Sequence, residues 1–499
     1  QKPEWNDANN ALAGCGLSVV TTGYLRRYIV FLESLFSDHE QDELQISSSL
    51  LGLLEGMSQA FSKESWSDQS KLTDGERFEL VEHSGLILES YRDQILREGP
   101  GASSSISKSD LLEFLKKSRK ALEGLLRLNK RSDGFWNAYN ILDIRHGESA
   151  MGINDLPLML EGQVAILTSG MLKPEEALHL LEALPESDLK SARHPTYLLY
   201  PDRDLPRFLE GNRVSQEQLE TVPALVEMVK AGDFRVLEKN PGEGFRFESA
   251  MTNGYELAEM IETVGGFSEE DRTKLDALYE SVFHHQSFTG RSGSMFSYEG
   301  LGCIYWHMIS KLMLAAQEVA LQAIEDGVED EMITRFLGAY FSVQHGLGFR
   351  QTPEQFGAFP AEPYSHSSSH AGAQQPGLTG QVKEGILCRL GELGVDFKDG
   401  CLSFEPRMLR AAEFRGLPGG PEHDALPEGM ISFTYAQTPI RYRRVHDLTN
   451  VSAVVYLSDG SQLTAPEGRL DRETTLEIVS QSGAVSRIDV QLPSSWLIS

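Results

Sequence analysis

Apolar residues recur every three to four positions over residues 17–36. There Leu17, Val20, Tyr24, Tyr28, Phe31, Leu32 and Leu35 fall on one face of a helix. The same period predicts helices near 43–62, 74–97, 109–130, 174–185, 215–231, 268–282, 301–325 and 328–344. Ser107-Lys108-Ser109-Asp110 supplies a capping region for the helix near 109–130, after a Gly-Pro-Gly-Ala-Ser-Ser-Ser loop at 99–105. Aromatic and polar loops occupy 133–140, 145–148 and 194–203. From about residue 350 the chain turns rich in Pro, Gly, Ser, His and Gln, and then carries a short helix over Val382–Leu393. Beyond it the period drops to two. Strands are predicted at 402–404, 431–435, 440–442, 452–457, 476–479 and 485–492, with hairpin turns at 458–461 and 481–483. The expectation is a mainly α chain: a helical domain over 1–385, then an antiparallel β-sandwich over 386–499. With no internal repeat evident, successive helical hairpins stack either as a solenoid or as a closed toroid.

Composition narrows the partners more than the fold. The 499 residues hold 45 Lys and Arg against 73 Asp and Glu, a net charge of −28. Such a surface argues against nucleic acid or an anionic membrane as partner, while a local pocket still admits a small anionic substrate. Cys15, Cys303, Cys388 and Cys401 are scattered without metal-ligand spacing, as expected of free thiols in a reducing compartment, and a cytoplasmic location is expected. No apolar run reaches membrane-spanning length.

Three stretches carry candidate chemistry. The first is Pro3-Glu4-Trp5-Asn6-Asp7-Ala8-Asn9-Asn10, with Gly14 and Gly16 close behind. Trp5 offers a flat apolar face to a pyranose, Asn6 can donate to and accept from hydroxyls, and Asp7 can deliver a proton if its site raises its pKa. The competing reading is a plain helix start, since Asp and Asn favour caps and turns. The second stretch runs from Gly290 to Gly300. Arg291 and Ser292 form a candidate anion seat before a long helix, and Tyr298 and Glu299 are candidates for sugar hydroxyls. The third runs from Pro363 to Gln381, dense in hydroxyl, imidazole and amide donors; His370, Gln374, Gln375 and Thr379 suit a phosphate that must enter and leave. His366 and His370 are alternative metal ligands, but no cysteine or carboxylate cluster accompanies them, so no metal is expected.

The Glu4-Trp5-Asn6-Asp7-Ala8-Asn9-Asn10 stretch resembles the acid-bearing motif of the inverting glycoside phosphorylases. These are the cellobiose and chitobiose phosphorylases and their β-1,3-oligoglucan relatives. Glu4 replaces the Asp that opens the motif in many members, and Asp7 matches the general acid. The run from Leu378-Thr379-Gly380-Gln381 through Leu402-Ser403-Phe404 is similar to the phosphate-binding Thr-Gly segment that leads into the C-terminal β-domain. Gly293–Tyr298 looks like the segment ending in a phosphate-binding His, with Tyr298 in its place. The resemblance implies an (α/α)6 toroid, incomplete in this chain, and a C-terminal sandwich. It also implies reversible phosphorolysis of β-glucans, with the longer spacing matching the β-1,3-oligoglucan enzymes. Inorganic phosphate is then a co-substrate and no cofactor is needed. Because the family places helices before the acid motif, an N-terminal chain or segment is expected to complete the barrel, and a homodimer is compatible. Two other classes remain. An inverting hydrolase would need a second carboxylate, for which Glu148, Glu243 and Glu299 are the candidates; a non-catalytic carbohydrate-binding helical protein would need none.

Overall fold

The computed structural model describes residues 16–61, 72–145, 149–202, 211–240, 244–249, 251, 253–283, 302–352, 366–368, 381–416 and 425–498. The chain opens with β1 (Gly16–Ser18) and α1 (Val19–Ser37), capped by Ser18, whose hydroxyl accepts from the Thr21 amide at 3.0 Å. A two-helix arm comes next: β2 (Glu43–Ser47), α2 (Ser48–Ala60), α3 (Asp74–Glu98) and β3 (Ser103–Ser107). The antiparallel pairing of β2 with β3, Leu44 opposite Ile106, returns the chain to its starting point. The helix predicted at 43–62 therefore begins five residues late, because Glu43–Ser47 pairs in a sheet and the Ser47 hydroxyl caps α2 at its first turn. Then come α4 (Lys108–Leu128), β4 (Tyr139–Arg145), β5 (Ala150–Asp155), α5 (Leu160–Thr168) and α6 (Pro174–Ala183).

A separate small body occupies the middle of the chain: α7 (Gln216–Glu220), α8 (Pro223–Ala231), β6 (Leu237–Lys239), β7 (Phe245–Phe247), α9 (Gly254–Val264) and α10 (Glu269–Phe283). It has its own core, centred on Leu225, Phe247, Leu257, Leu275 and Tyr279. The main body resumes with β8 (Cys303–Tyr305), α11 (Trp306–Glu325), α12 (Asp330–Gly346), β9 (His366–Ser368) and α13 (Val382–Glu392).

Four helices of the main body, α1, α5, α11 and α13, run parallel. Gly23 faces the Ala165 carbonyl and Arg26 reaches the Ser169 carbonyl at 2.9 Å, so α1 and α5 advance together. Lys311 meets Glu384 and Gln317 meets the Cys388 carbonyl, both at 2.7 Å, so α11 and α13 do the same. Arg27 ties the far ends by binding Glu318 at 2.7 Å and the Thr168 carbonyl at 3.4 Å. The helices α4 and α12 run the other way, α4 through Arg26–Glu123 and Arg119–Glu33 and α12 through its hairpin with α11. The shared core holds Trp306, Met308, Leu312, Phe336 and Tyr340 with Leu160, Val164 and Val20.

The C-terminal region comprises β10 (Val395–Lys398), β11 (Cys401–Phe404), β12 (Met430–Tyr435), β13 (Thr438–Val445), β14 (Ser452–Leu457), β15 (Gln462–Pro466), α14 (Arg472–Val479) and β16 (Val485–Pro493). Its main sheet has the order β12-β13-β16-β14-β15, and the β13–β16 pair is parallel. This corrects the expected antiparallel sandwich: one mixed sheet is backed by a helix and the β10–β11 hairpin. The strand predicted at 476–479 is helical because Asp471 caps the segment, accepting from Thr474 at 2.7 Å. The buried positions Thr474, Thr475 and Ile478 then obey helical spacing. The helical and sheet cores divide between Cys388 and Leu393.

Candidate active site

The amino ends of the four parallel helices share one face, and the chain segments entering them are stitched together by backbone bonds. β1 pairs with β4, Ser18 opposite Tyr139, and the Val19 amide donates to the Ala138 carbonyl at 3.0 Å. The 136–138 backbone lies directly on the start of α5. A Cβ at Gly162 would stand 2.6 Å from the Trp136 carbonyl oxygen, so only glycine allows this approach. Gln163, fully buried, clamps the crossing. Its Nε2 donates to the carbonyls of Trp136 (2.8 Å) and Met159 (2.9 Å), and its Oε1 accepts from the Trp136 amide (3.0 Å). Arg131 steadies the approach by donating to Asn137 Oδ1 at 3.1 Å and the Leu156 carbonyl at 3.2 Å.

The stitching continues toward α11. The Leu160 amide donates to the Leu199 carbonyl (3.0 Å), the Leu199 amide to the Cys303 carbonyl (2.8 Å), and the Gly302 amide to the Tyr200 carbonyl (3.1 Å). β8 then pairs with β9, Tyr305 opposite His366. One strip of backbone thus joins the residues just after the acid motif, those just after the Arg291 stretch, and those that enter the His370–Thr379 stretch.

The sequence-predicted site residues themselves, Asp7, Trp5, Asn6, Tyr298, Glu299, Arg291, Ser292, His370, Gln374, Gln375 and Thr379, lie outside the described residues, as do Glu148 and Glu243. Their flanking segments join the frame at the strip of backbone above. The same face presents polar groups that sequence reasoning missed. Glu161, 2% exposed, stands in the first turn of α5. His307 Nδ1 lies 3.1 Å from the Tyr305 hydroxyl. The only signal for Glu161 and Gln163 was a pair of polar residues inside the apolar run 156–167.

Both signs of charge meet at this face, where Glu161 and Glu384 stand in the first turns of α5 and α13. Four helix amino ends lie on this face, each carrying the partial positive charge of the helix dipole, although amides of α1 and α5 are already paired with Ser18, Ala138 and Leu199. Burial, helped by the charge of Arg193, holds the His194 imidazole below its ordinary pKa, so it is neutral at pH 7. Burial pushes the Tyr197 phenol up to about 12. Among the described residues no group of three or more His, Cys, Asp or Glu is placed to hold a metal ion, and no helix is long and apolar enough to cross a membrane. Cys303 and Cys388 are buried.

The middle body carries the family signal. Its two connections leave and rejoin the main body side by side at Tyr200 and Gly302. Residues 205–286 match the family model of GH149 phosphorylase insertion domain 2. The similarity points to a glycoside phosphorylase. No curated protein matches the chain. The matched segment lies in the chain between Tyr200 and Gly302, which are joined by a backbone bond of the strip described above. Because the module has its own core, residues 205–286 expressed alone are expected to unfold cooperatively on heating, monitored by circular dichroism. A featureless melt would show that the module depends on the main body.

Proposed function

We propose that the chain catalyses the inverting, reversible phosphorolysis of β-1,3-oligoglucans, releasing α-glucose 1-phosphate. The match of residues 205–286 to a phosphorylase insertion domain carries this reading. The convergence of helix amino ends beside the joins of the candidate segments supports it. In the proposed step Asp7 gives its proton to the glycosidic oxygen, phosphate oxygen attacks the anomeric carbon from the opposite face, and the carbon–oxygen bond to the leaving glucan breaks. One displacement converts a β-linkage to an α-phosphate. Phosphate is already an anionic nucleophile, so the base that an inverting hydrolase needs is dispensable. Arg291, Ser292, His370, Gln374, Gln375 and Thr379 are proposed to hold phosphate, and Trp5, Asn6, Tyr298 and Glu299 the sugar at the cleavage point. Phosphate is a co-substrate and no cofactor enters.

The four parallel helices with antiparallel companions are the arrangement from which an (α/α)6 toroid is built, and we propose that toroid. Leu25, Tyr28, Phe31 and Leu35 leave an apolar face of α1 exposed, with Tyr28 and Phe31 stacked at 6.4 Å. A further helical segment or chain is proposed to cover it, and a homodimer is compatible. The deciding assay is phosphate release from α-glucose 1-phosphate with short β-1,3-glucans as acceptors. Release that depends on the acceptor is expected. No release, or glucose formed from the glucan without phosphate, would overturn the proposal.

A further inference from the structure

We propose that Arg350 and Arg410 form a binding site for a small oxyanion, a phosphate or a carboxylate, at the junction of the helical body and the sheet region. Arg350 lies in the turn that leaves α12, and Arg410 in the link between β11 and β12. Both meet at one carboxylate oxygen, Glu413 Oε1. Arg350 donates to it from its guanidinium at 3.3 Å, and Arg410 from its backbone amide at 3.2 Å. Beside them is a cavity of about 280 Å³, whose lining includes Gln344, Phe349, Arg350, Arg389 and Glu413. That is small for a ligand pocket and suits a compact ligand.

The charges at this junction do not balance. The guanidiniums of Arg350, Arg389 and Arg410 stand against only the carboxylates of Glu392 and Glu413. Every oxygen of those carboxylates is already engaged. Glu392 Oε1 accepts from the Tyr340 hydroxyl (2.8 Å) and from Gln344 Nε2 (2.6 Å), and its Oε2 accepts from Arg389 (2.6 Å). Glu413 Oε2 accepts from Arg389 at 2.8 Å. Arg389 therefore bridges both acids, and the surplus positive charge lies with Arg350 and Arg410. Among the described residues the Arg410 guanidinium has no hydrogen-bond partner; it is stacked over the Phe341 ring at 3.8 Å. Stacking fixes its plane and leaves its N–H donors unused. Burial and the nearby charge of Arg350 lower the Arg410 pKa, yet an arginine stays protonated, so two like charges are held close together. An oxyanion between them would take up the spare donors of two planar forks and remove the repulsion.

The backbone points the same way. Arg350 has φ +63°, a conformation that glycine takes freely and other residues only at a cost. Backbone stability alone favours glycine there. What the arginine adds is its side chain at the cavity.

The test titrates the full chain calorimetrically with inorganic phosphate, glucose 1-phosphate and acetate at constant ionic strength. Saturable binding of at least one of the three is expected in the parent. The tightest of them tells a free phosphate from an esterified one or a carboxylate. Arg410→Gln and Arg350→Gly are each expected to weaken that binding about tenfold or more. Arg410→Lys, which keeps the charge but not the fork, is expected to weaken it about threefold and covers the case in which Arg410→Gln does not fold. The KM for phosphate in phosphorolysis is expected to stay within about twofold in all three variants, which separates this site from the proposed reaction. Absence of saturable binding in the parent overturns the proposal, as does equal affinity in the parent and the folded variants.

Discussion

Asp7→Asn is expected to lower phosphorolysis of β-1,3-oligoglucans by about 10²- to 10⁴-fold, the range lost when a positioned general acid is removed. Asn keeps the size and polarity of the side chain but has no acidic proton to give to the departing glucan oxygen. Two controls separate this from damage to the fold. A glucoside whose leaving group needs no proton, such as a dinitrophenyl β-glucoside, is expected to lose less than about tenfold, because the missing chemistry is not required there. Synthesis from α-glucose 1-phosphate is expected to fall by the same factor as degradation, since in that direction Asp7 takes the proton from the acceptor hydroxyl. A proton donor must be protonated at working pH, so activity is expected to fall as pH rises through the acid's pKa in the complex, and this basic limb should vanish in Asp7→Asn. Near-parental turnover in the variant would remove Asp7 from the role.

How far the sequence announced this architecture depends on whether an element has two different faces. α1 and α4 were legible because apolar residues repeat at helical spacing, and α3 and α4 because their caps are local. Thr73 and Glu76 close a capping box at the start of α3, and Ser107 accepts from Asp110 at the start of α4. α5 was invisible for the opposite reason. Every residue from Leu160 to Leu167 is buried, so the helix has no polar face and no period to read. At Leu476–Val479 the pattern misled, because exposed Leu476 and Val479 lie on the outside of a helix rather than the inside of a strand. Residue types marked three candidate stretches, which lie outside the described residues, and nothing local announced how the segments flanking them meet. The bonds that join the described segments beside them are long-range: Leu199 to Cys303, Tyr305 to His366, and Lys311 to Glu384 across 73 residues. No local spacing encodes such pairs. They arise from the packing of parallel helices whose amino ends share a face.

Gly394→Ala is expected to be the most damaging single-methyl substitution at the junction of the two cores. Gly394 has φ +63°, where an L side chain costs about 1–2 kcal/mol. A Cβ there would also overlap the peptide between Glu405 and Pro406, which is backbone and has no flexible end to swing aside. Forcing the two strands of chain apart adds about 1–3 kcal/mol, so a loss of about 2–5 kcal/mol is expected. The site is where α13 hands over to the sheet. The Glu405 amide donates to the Gly394 carbonyl at 2.7 Å, and the buried Tyr442 hydroxyl donates to the Leu393 carbonyl at 2.6 Å. Gly460→Ala is the control, because Gly460 has φ +88° but nothing within 4 Å of its would-be Cβ, so only the conformational cost of about 1–2 kcal/mol applies. Denaturant titration, read through Trp496 stacked beneath Arg407 in the sheet region, should give a clearly lower midpoint for Gly394→Ala than for Gly460→Ala. Equal midpoints would mean that the close approach of Gly394 to Glu405 does not hold the sheet to α13. The helix would then be held to the main body by the bonds of Glu384 with Lys311 and of the Cys388 carbonyl with Gln317.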